Sequence, residues 1–221
     1  EFYIPDRYLE GYGISTEGID HAFNHGFSLI IALDCGIKSI DKIAYANIKS
    51  IDFIICDHHQ PGDELPKAIA ILDPKRNDCE YPYKELSGCG IGFKLVQAYA
   101  QKNDIPFEEI MCYLDLVAVS IASDIVPITG ENRILAWYGL RRLNTEPCKG
   151  LSALMDIAGR RDNFTITDVV FLIGPKINAA GRIDDAKHAV NLLIAESHEL
   201  AYAKGQVVNL KNTERKEYDS N

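Results

Sequence analysis

Two apolar stretches of the chain each end in side chains that can bind a metal ion. The tripeptide Asp57-His58-His59 directly follows the apolar run of residues 52–56. Adjacent imidazoles with a carboxylate before them can ligate a divalent ion and reach a phosphate at the same time. Upstream, the apolar run of residues 27–33 ends on Asp34. These residue types at the ends of strand-like runs predict metal-dependent phosphoester chemistry.

The segment between these runs decides whether their ends meet. Apolar positions within residues 38–49 recur at helical spacing, which predicts strand, helix and strand over residues 27–56. The right-handed crossover of such a unit places the carboxyl ends of both strands at one edge. Asp34 and His58 should therefore be neighbours where open α/β sheets bind ligands. For Asp34 alone, a turn or helix-capping role is an equally good interpretation.

Two later turns carry weaker candidates. Residues 68–72 are predicted to form a third strand, and Asp73-Pro74 after it is predicted to be a turn because proline cannot continue a ladder. Residues 87–92 form a glycine-rich turn that opens a helix. Gly88 and Gly90 could cradle a phosphate at the N-terminus of that helix. Close packing of the turn against the sheet explains the glycines equally well.

A buried helix is expected to deliver a further carboxylate. Residues 107–123 are apolar on nearly every face after the first turn, which predicts a buried helix with Asp124 at its C-terminal end. The negative end of a helix dipole disfavours a charged carboxylate unless a cation compensates. A metal ion would supply that cation. A salt bridge, for example with Arg133, or simple exposure to water would also relieve the cost.

The rest of the chain is predicted to be helical around one basic loop. Helices are expected at residues 132–143, 151–158, 185–196 and 198–217. Residues 174–182 are predicted to be a loop because they are rich in Gly, Pro and small residues. Lys176 and Arg182 project cations from it, which suits contact with phosphate. A connector between helices with solvated basic residues fits as well.

Composition limits the partners and the compartment. Asp and Glu exceed Lys and Arg by 32 to 23, giving a net charge of −9. A protein that follows a phosphate backbone normally has a basic face, so the chain as a whole is a poor unaided nucleic-acid binder. Its six cysteines form no Cys-x-x-Cys pair, which fits buried thiols in a reducing cytoplasm. No apolar run is long enough to cross a bilayer.

Several motifs, in a fixed order, carry a family resemblance. They are IPDRYLEGYGIS, LIIALDCGI, DFIICDHHQPGDELPKAIAILDPK, LSGCGIGFKL, LDLVAVSIASDIVPITGENRILAWYGLRRL and IGPKINAAGRID. Their succession, over essentially the whole chain, resembles the RecJ family of 5′ to 3′ single-stranded-DNA exonucleases in the DHH phosphoesterase superfamily. The resemblance implies an α/β fold with a Rossmann-like parallel-sheet DHH core, helices on both faces of that sheet, and a helical segment after it.

The resemblance also implies a division of the chain into regions. Residues 1–130 would be a DHH core that is incomplete at its N-terminus, and residues 131–196 a helical continuation containing the GPKINAAGR loop. Residues 197–221 would be a connector helix toward a DHH-associated domain. The family's Asp-x-Asp-x-Asp-Gly motif, which supplies further metal ligands, does not occur in these residues. We therefore expect a fragment that lacks the first strand and the C-terminal domains and is inactive by itself.

Roles for the candidate residues follow from the same resemblance. Three positions match the family's ligands for Mn²⁺ or Mg²⁺, namely Asp34, His58 and Asp124. His59 would contact the scissile phosphate, and Asp57 would orient the histidine pair. Arg182 would lie among the contacts to the DNA backbone. In the intact enzyme two ions would activate water for the release of nucleotides from single-stranded DNA in repair and recombination, with a single-strand-binding protein or a helicase as further partners.

Two alternative functions stay open. One is another DHH enzyme, such as an oligoribonuclease, a nucleotide phosphatase or a manganese pyrophosphatase, although the long helical stretch after Asp124 argues against these shorter relatives. The other is a non-catalytic DHH scaffold. The chain retains the three matched ligands and His59, which argues against a scaffold.

The chain also departs from the family at Cys35 and Asp73, where Asn is usual. Neither change removes a ligand.

Overall fold

The computed structural model describes residues 1–160, 163–183 and 186–219, with the backbone alone for residues 179–183 and 211–219. The chain divides into two compact units, of which the first contains Glu1–Ile105 with Gly130–Asn132. The second contains Pro106–Thr129 with Arg133–Asn221. The domain limits expected at residues 130 and 196 stay predictions.

A three-stranded parallel sheet forms the centre of the first unit. Its strands lie in the order β1 (Leu29–Leu33), β2 (Asp52–Cys56) and β3 (Ala70–Leu72). The register pairs the last residues of all three strands, so the strands end level with one another. The residues that follow them, Asp34, Asp57 and Asp73, therefore lie along one edge. The strand, helix and strand predicted over residues 27–56 are confirmed.

The sheet of the first unit has helices on both faces. These helices are α1 (Thr16–Asn24), α2 (Ile40–Ile48) and α3 (Gly88–Lys102). Serine side chains cap two of them, because Ser15 Oγ accepts the Gly18 N–H at 2.9 Å and Ser87 Oγ accepts the Gly90 N–H at 3.2 Å. One apolar core of this unit contains Ile19, Ala22, Ala32, Ile43, Ala46, Ile51, Phe53 and Ile55. The apolar side chains that recur at helical spacing and those that alternate along the strands thus pack together in this core.

The described residues of the second unit form helices joined by turns and loops, and no strand. Its elements are α4 (Phe107–Ile110), a 3-10 turn (Met111–Tyr113), α5 (Leu114–Ser123), α6 (Gly130–Thr145, whose first three residues belong to the first unit), α7 (Lys149–Ile157), α8 (Ile166–Asp168), a π-helical turn (Val169–Ile173), α9 (Gly174–Ile183), α10 (Lys187–Leu193) and α11 (His198–Asp219). Its core includes Val119, Leu143, Leu154, Leu192 and Val208. No described helix has both the length and the apolar character that a membrane span requires.

A buried carboxylate joins two helices of the second unit. Asp115, in the first turn of α5, is fully buried. Its Oδ2 accepts the N–H of Cys148, directly before α7, and its Oδ1 accepts the N–H of Leu116, each at 2.7 Å. Burial raises the pKa of Asp115 above its ordinary value. The two N–H groups satisfy oxygens that would otherwise be costly to bury.

The loop predicted at residues 174–182 is wrong, because this segment forms α9. Glycine and proline suggested a loop, yet Gly174 and Pro175 lie inside a continuous helical stretch, because α9 directly follows a π-helical turn. The π-helical turn directly before α9 changes the hydrogen-bond pattern at that point. Gly174 serves close packing, since a Cβ there would lie 2.9 Å from Ser123 Oγ in α5. Packing, which has no local sequence signal, explains this glycine.

Gly139 of α6 provides a test of helix packing in the second unit. A Cβ at this position would lie 2.2 Å from the Leu114 carbonyl oxygen and 2.6 Å from Ala118 Cβ. Gly139→Ala should therefore lower the free energy of unfolding by roughly 1–3 kcal/mol, in spite of the higher helix propensity of alanine. The control is Gly92→Ala in α3, whose Cβ would meet only Leu33 Cδ2 at 3.4 Å. Urea denaturation measures both variants, and equal losses would contradict the packing argument.

Candidate metal centre

The first site residue, Asp34, follows the last residue of β1 in an unusual backbone conformation. Its φ is +63°, in the left-handed region that few residues other than glycine adopt. The Asp34 N–H donates to the Cys56 carbonyl oxygen at 2.8 Å, which extends the pairing of β1 with β2 by one residue. This conformation costs free energy, and such strain is often found at functional sites. The backbone therefore fixes where the Asp34 carboxylate lies.

His58 presents one ring nitrogen to that carboxylate. Its Nε2 lies 3.1 Å from Asp34 Oδ1, and its Nδ1 lies 3.2 Å from the carbonyl oxygen of Leu86. A carbonyl oxygen can only accept, so Nδ1 donates to Leu86, and Nε2 is the ring nitrogen that faces Asp34. Asp34 Oδ1 is buried and accepts no hydrogen bond from a described residue. His58 Nε2 and Asp34 Oδ1 therefore lie close enough together to be ligands of one cation.

Asp57 holds the backbone and side chains around the histidine pair. It is 1% exposed, and its Oδ2 accepts the Ile37 N–H at 2.9 Å. Its Oδ1 accepts the backbone N–H groups of His58 and His59 at 2.8 and 3.2 Å. Burial alone would raise the pKa of Asp57, but the hydrogen bonds from Ile37 and His59 outweigh it, so this pKa lies below its ordinary value. Asp57 is therefore charged and fully engaged by donors.

His59 completes the cluster on its exposed side. Its Nδ1 lies 2.6 Å from Asp57 Oδ1, and about half of its side chain is exposed. The rings of His58 and His59 meet edge to face, with centroids 4.7 Å apart. Among the described residues, Asp34, His58 and His59 offer ligand atoms that all lie within 4.8 Å of one another. A carboxylate with imidazoles is a donor set that suits Mn²⁺ and other divalent ions.

Gly88 makes room for the Asp34 carboxylate. A Cβ on Gly88 would lie 2.0 Å from Asp34 Oδ1, so any larger residue would overlap the carboxylate. The neighbouring Gly90 N–H donates to Ser87 Oγ, as described above. The phosphate-binding role predicted for Gly88 and Gly90 stays a prediction. The three atoms nearest to a Cβ on Gly88 all belong to Asp34, so close packing against this side chain is sufficient reason for the glycine.

Asp73 is a residue whose environment the sequence did not indicate. It was predicted to be a turn residue, and its Oδ1 indeed accepts the Lys75 N–H at 2.8 Å. The side chain is also 3% exposed, and its Oδ2 is buried without a hydrogen bond from a described residue. Burial raises the pKa of Asp73, and the charge of Asp57 adds to this shift. β3 pairs with β2 so that Cys56 lies opposite Leu72, and Asp73 therefore lies beside Asp57 at the carboxyl edge of the sheet. Knowing this register in advance would have predicted the position of Asp73.

The remaining predicted site residues belong to the second unit. Asp124 directly follows α5, as predicted, and its Oδ2 accepts the Ser120 hydroxyl at 3.3 Å. Lys176 lies in α9 and is partly buried. Arg182 lies in the same helix, and its side chain is outside the described part of the structure. The convergence of Asp124 with Asp34 and the roles of these basic residues stay predictions.

A parallel sheet with acidic and histidine side chains along one edge is the feature of this chain to compare with known protein families. Residues 1–121 match the DHH family, N-terminal domain. The match covers more than half of the 221 residues, and the chain belongs to the DHH family.

Within this class the chain is similar to RecJ, and the predicted resemblance is confirmed. It is 36% identical over 230 residues to the single-stranded-DNA-specific exonuclease RecJ of Escherichia coli (strain K12), covering 99% of this chain and 40% of that protein. It is 40% identical over 216 residues to the RecJ of Bacillus subtilis (strain 168), and the match covers 97% of this chain and 27% of that protein. The chain thus spans less than half the length of these relatives.

Two crystal structures share the fold. Exonuclease RecJ bound to manganese superimposes with a TM-score of 0.85 at 29% identity, over 97% of this chain and 54% of that one. RecJ of Thermus thermophilus in complex with Mn²⁺ gives a TM-score of 0.80 at 28% identity, over 90% and 30%. The fold class predicted from the sequence is therefore confirmed.

The close approach of Gly88 to Asp34 generates a test of the metal centre. Gly88→Ala should weaken Mn²⁺ binding by about 10-fold or more, because the new Cβ displaces the carboxylate from its position beside His58. Electron paramagnetic resonance of free Mn²⁺ measures the affinity. Gly92→Ala, one turn further along α3, is the matched control and should leave the affinity unchanged. Equal affinities for the Gly88 and Gly92 variants would show that Asp34 binds no metal in this position.

Proposed function

We propose that this chain is the catalytic core of a metal-dependent phosphodiesterase in which Asp34, His58 and Asp124 hold Mn²⁺ or Mg²⁺. One observation carries the proposal: Asp34 Oδ1 is buried without a hydrogen bond from a described residue and faces Nε2 of His58 at 3.1 Å. The manganese named with the similar RecJ structures supports the choice of ion. The intact enzyme would bind two ions.

The residues of the first unit divide the chemistry among them. The Leu86 carbonyl oxygen holds the His58 ring so that Nε2 stays available as a ligand. A bound divalent ion would supply an activated water and stabilise the leaving oxygen. Asp57 holds His59 through Nδ1, so the opposite edge of that ring can contact the scissile phosphate. Asp57 is therefore a positioning residue, while His59 contacts the substrate.

The proposed reaction is stepwise 5′ to 3′ hydrolysis of single-stranded DNA in repair and recombination, in the cytoplasm. The similarity to proteins named as single-stranded-DNA-specific exonucleases supports this substrate. The N-terminus of α3 at Gly88 and Gly90, with Lys176 and Arg182 of α9, would contact phosphates. A single-strand-binding protein or a helicase would be further partners.

Three substitutions in the full-length protein separate metal ligands from the phosphate contact. Asp34→Ala and His58→Ala should abolish Mn²⁺- and Mg²⁺-dependent degradation of a 5′-phosphorylated single strand and weaken Mn²⁺ binding, because each removes a ligand. His59→Ala should lower the rate about 100-fold or more with Mn²⁺ affinity nearly unchanged, because its partner is the phosphate. Oligonucleotides labelled at either end, single- or double-stranded, report rate, polarity and strand preference in one gel assay.

Matched controls exist for both residue types. Asp52→Ala removes an exposed carboxylate at the opposite end of β2, and His25→Ala removes an exposed imidazole after α1. Neither control should change the rate. If the full-length His58→Ala variant degrades the single strand at the rate of the unchanged protein, the metal-site proposal is wrong and a non-catalytic scaffold is favoured.

A further inference from the structure

One face of α6 exposes aromatic and basic side chains that the metal centre does not use. We call it the α6 face, and its residues are Arg133, Ile134, Trp137, Tyr138 and Arg141, all exposed. Trp137 is 69% exposed, Ile134 58% and Tyr138 48%. Trp137 is the single tryptophan among the 221 residues. Exposing three large apolar side chains together on one helix is costly unless something covers them.

The α6 face has a defined geometry. At 3.6 residues per turn, its five residues fall within an arc of about 140°, and the two arginines lie about 12 Å apart along the helix axis. Trp137 lies between them, four residues from each. The opposite face of α6 is held in place, because Leu135, Ala136 and Leu143 are buried. The aromatic and basic groups are therefore presented by a rigid helix.

The α6 face is also electrostatically distinct from the rest of the chain. The chain has a net charge of −9, yet no Asp or Glu of α6 falls within this arc. Among the described residues, none forms an ion pair with Arg133 or Arg141. Two exposed cations without a carboxylate between them can bind an anionic partner.

From this geometry we propose that the α6 face is a binding surface for single-stranded DNA, an inference that rests on the proposed function above. Nucleotide bases would stack on Trp137 and Tyr138, while Arg133 and Arg141 contact the phosphates on either side. The alternation of cation, ring and cation matches the alternation of phosphate and base along a strand. Aromatic platforms flanked by positive charge are how proteins bind single strands without reading their sequence.

A protein partner fits the α6 face less well. A stable protein interface takes about 800 Å² from each partner. The arc of α6 is only about 12 Å long and about 10 Å wide. This area suits a few nucleotides. The surface lies wholly within the second unit, so it does not depend on the Asp34 and His58 site of the first unit.

The test is a binding titration on the full-length protein in EDTA, where no hydrolysis occurs. Fluorescein-labelled oligothymidylate is the probe, and its anisotropy gives the affinity. Trp137→Ala should weaken binding about 5- to 150-fold, the range for losing one stacked base, and Trp137→Phe should restore most of it. Arg141→Gln should reduce the slope of log affinity against log salt by about 0.7, the value for one phosphate contact on a single strand.

The control is the double variant Tyr99→Ala with Lys102→Gln, which removes an exposed aromatic ring and an exposed cation one turn apart on α3. Its affinity should equal that of the unchanged protein. An equal loss in this control, unchanged binding by Trp137→Ala, or a Trp137 that acrylamide cannot quench in the free protein would each overturn the inference. Binding through α6 by a protein that cleaves nothing would overturn the proposed function and leave this inference standing.

Discussion

The candidate metal centre depends on one buried carboxylate, that of Asp57. A charge removed from water is tolerated only when donors surround it, and here the donors are three backbone N–H groups and the His59 ring. Each of these hydrogen bonds fixes a different part of the site. The bond from Ile37 ties the segment after β1 to the end of β2, and the bonds from His58 and His59 set the path of the chain through both histidines. The geometry of the candidate site thus depends on the burial of Asp57, which bonds to the backbone of both histidines.

Accumulated negative charge is the second determinant of this site. The level ends of β1, β2 and β3 bring Asp34, Asp57 and Asp73 to one edge of the sheet. Donors offset the charge of Asp57, whereas burial and the neighbouring charge raise the pKa of Asp73. Asp34 Oδ1 receives no hydrogen bond from a described residue, which leaves it available to a cation. The three carboxylates therefore have separate electrostatic roles, although the same sheet topology places them.

In the second unit, the helices pack closely where one of them has a glycine. Gly139 lies against the Leu114 carbonyl, and Gly174 lies against Ser123. One face of α6 packs into the core through Leu135, Ala136 and Leu143, and the opposite face exposes the large aromatic side chains of Trp137 and Tyr138. The same helix thus serves the core on one side and offers a surface for recognition on the other.

The sequence by itself determined the strands, most helices and the positions of Asp34 and the Asp57-His58-His59 tripeptide at strand ends. These features follow from hydrophobic periodicity and turn chemistry, which act between residues close in the chain. The tertiary structure alone decided three features: the contact of the His58 ring with a carbonyl 28 residues away, the room that Gly88 leaves for Asp34, and the burial of Asp73. It also decided the helix at Gly174–Ile183, where packing overrode the loop-like composition. These properties depend on distances between residues far apart in the chain, and such distances exist only after folding.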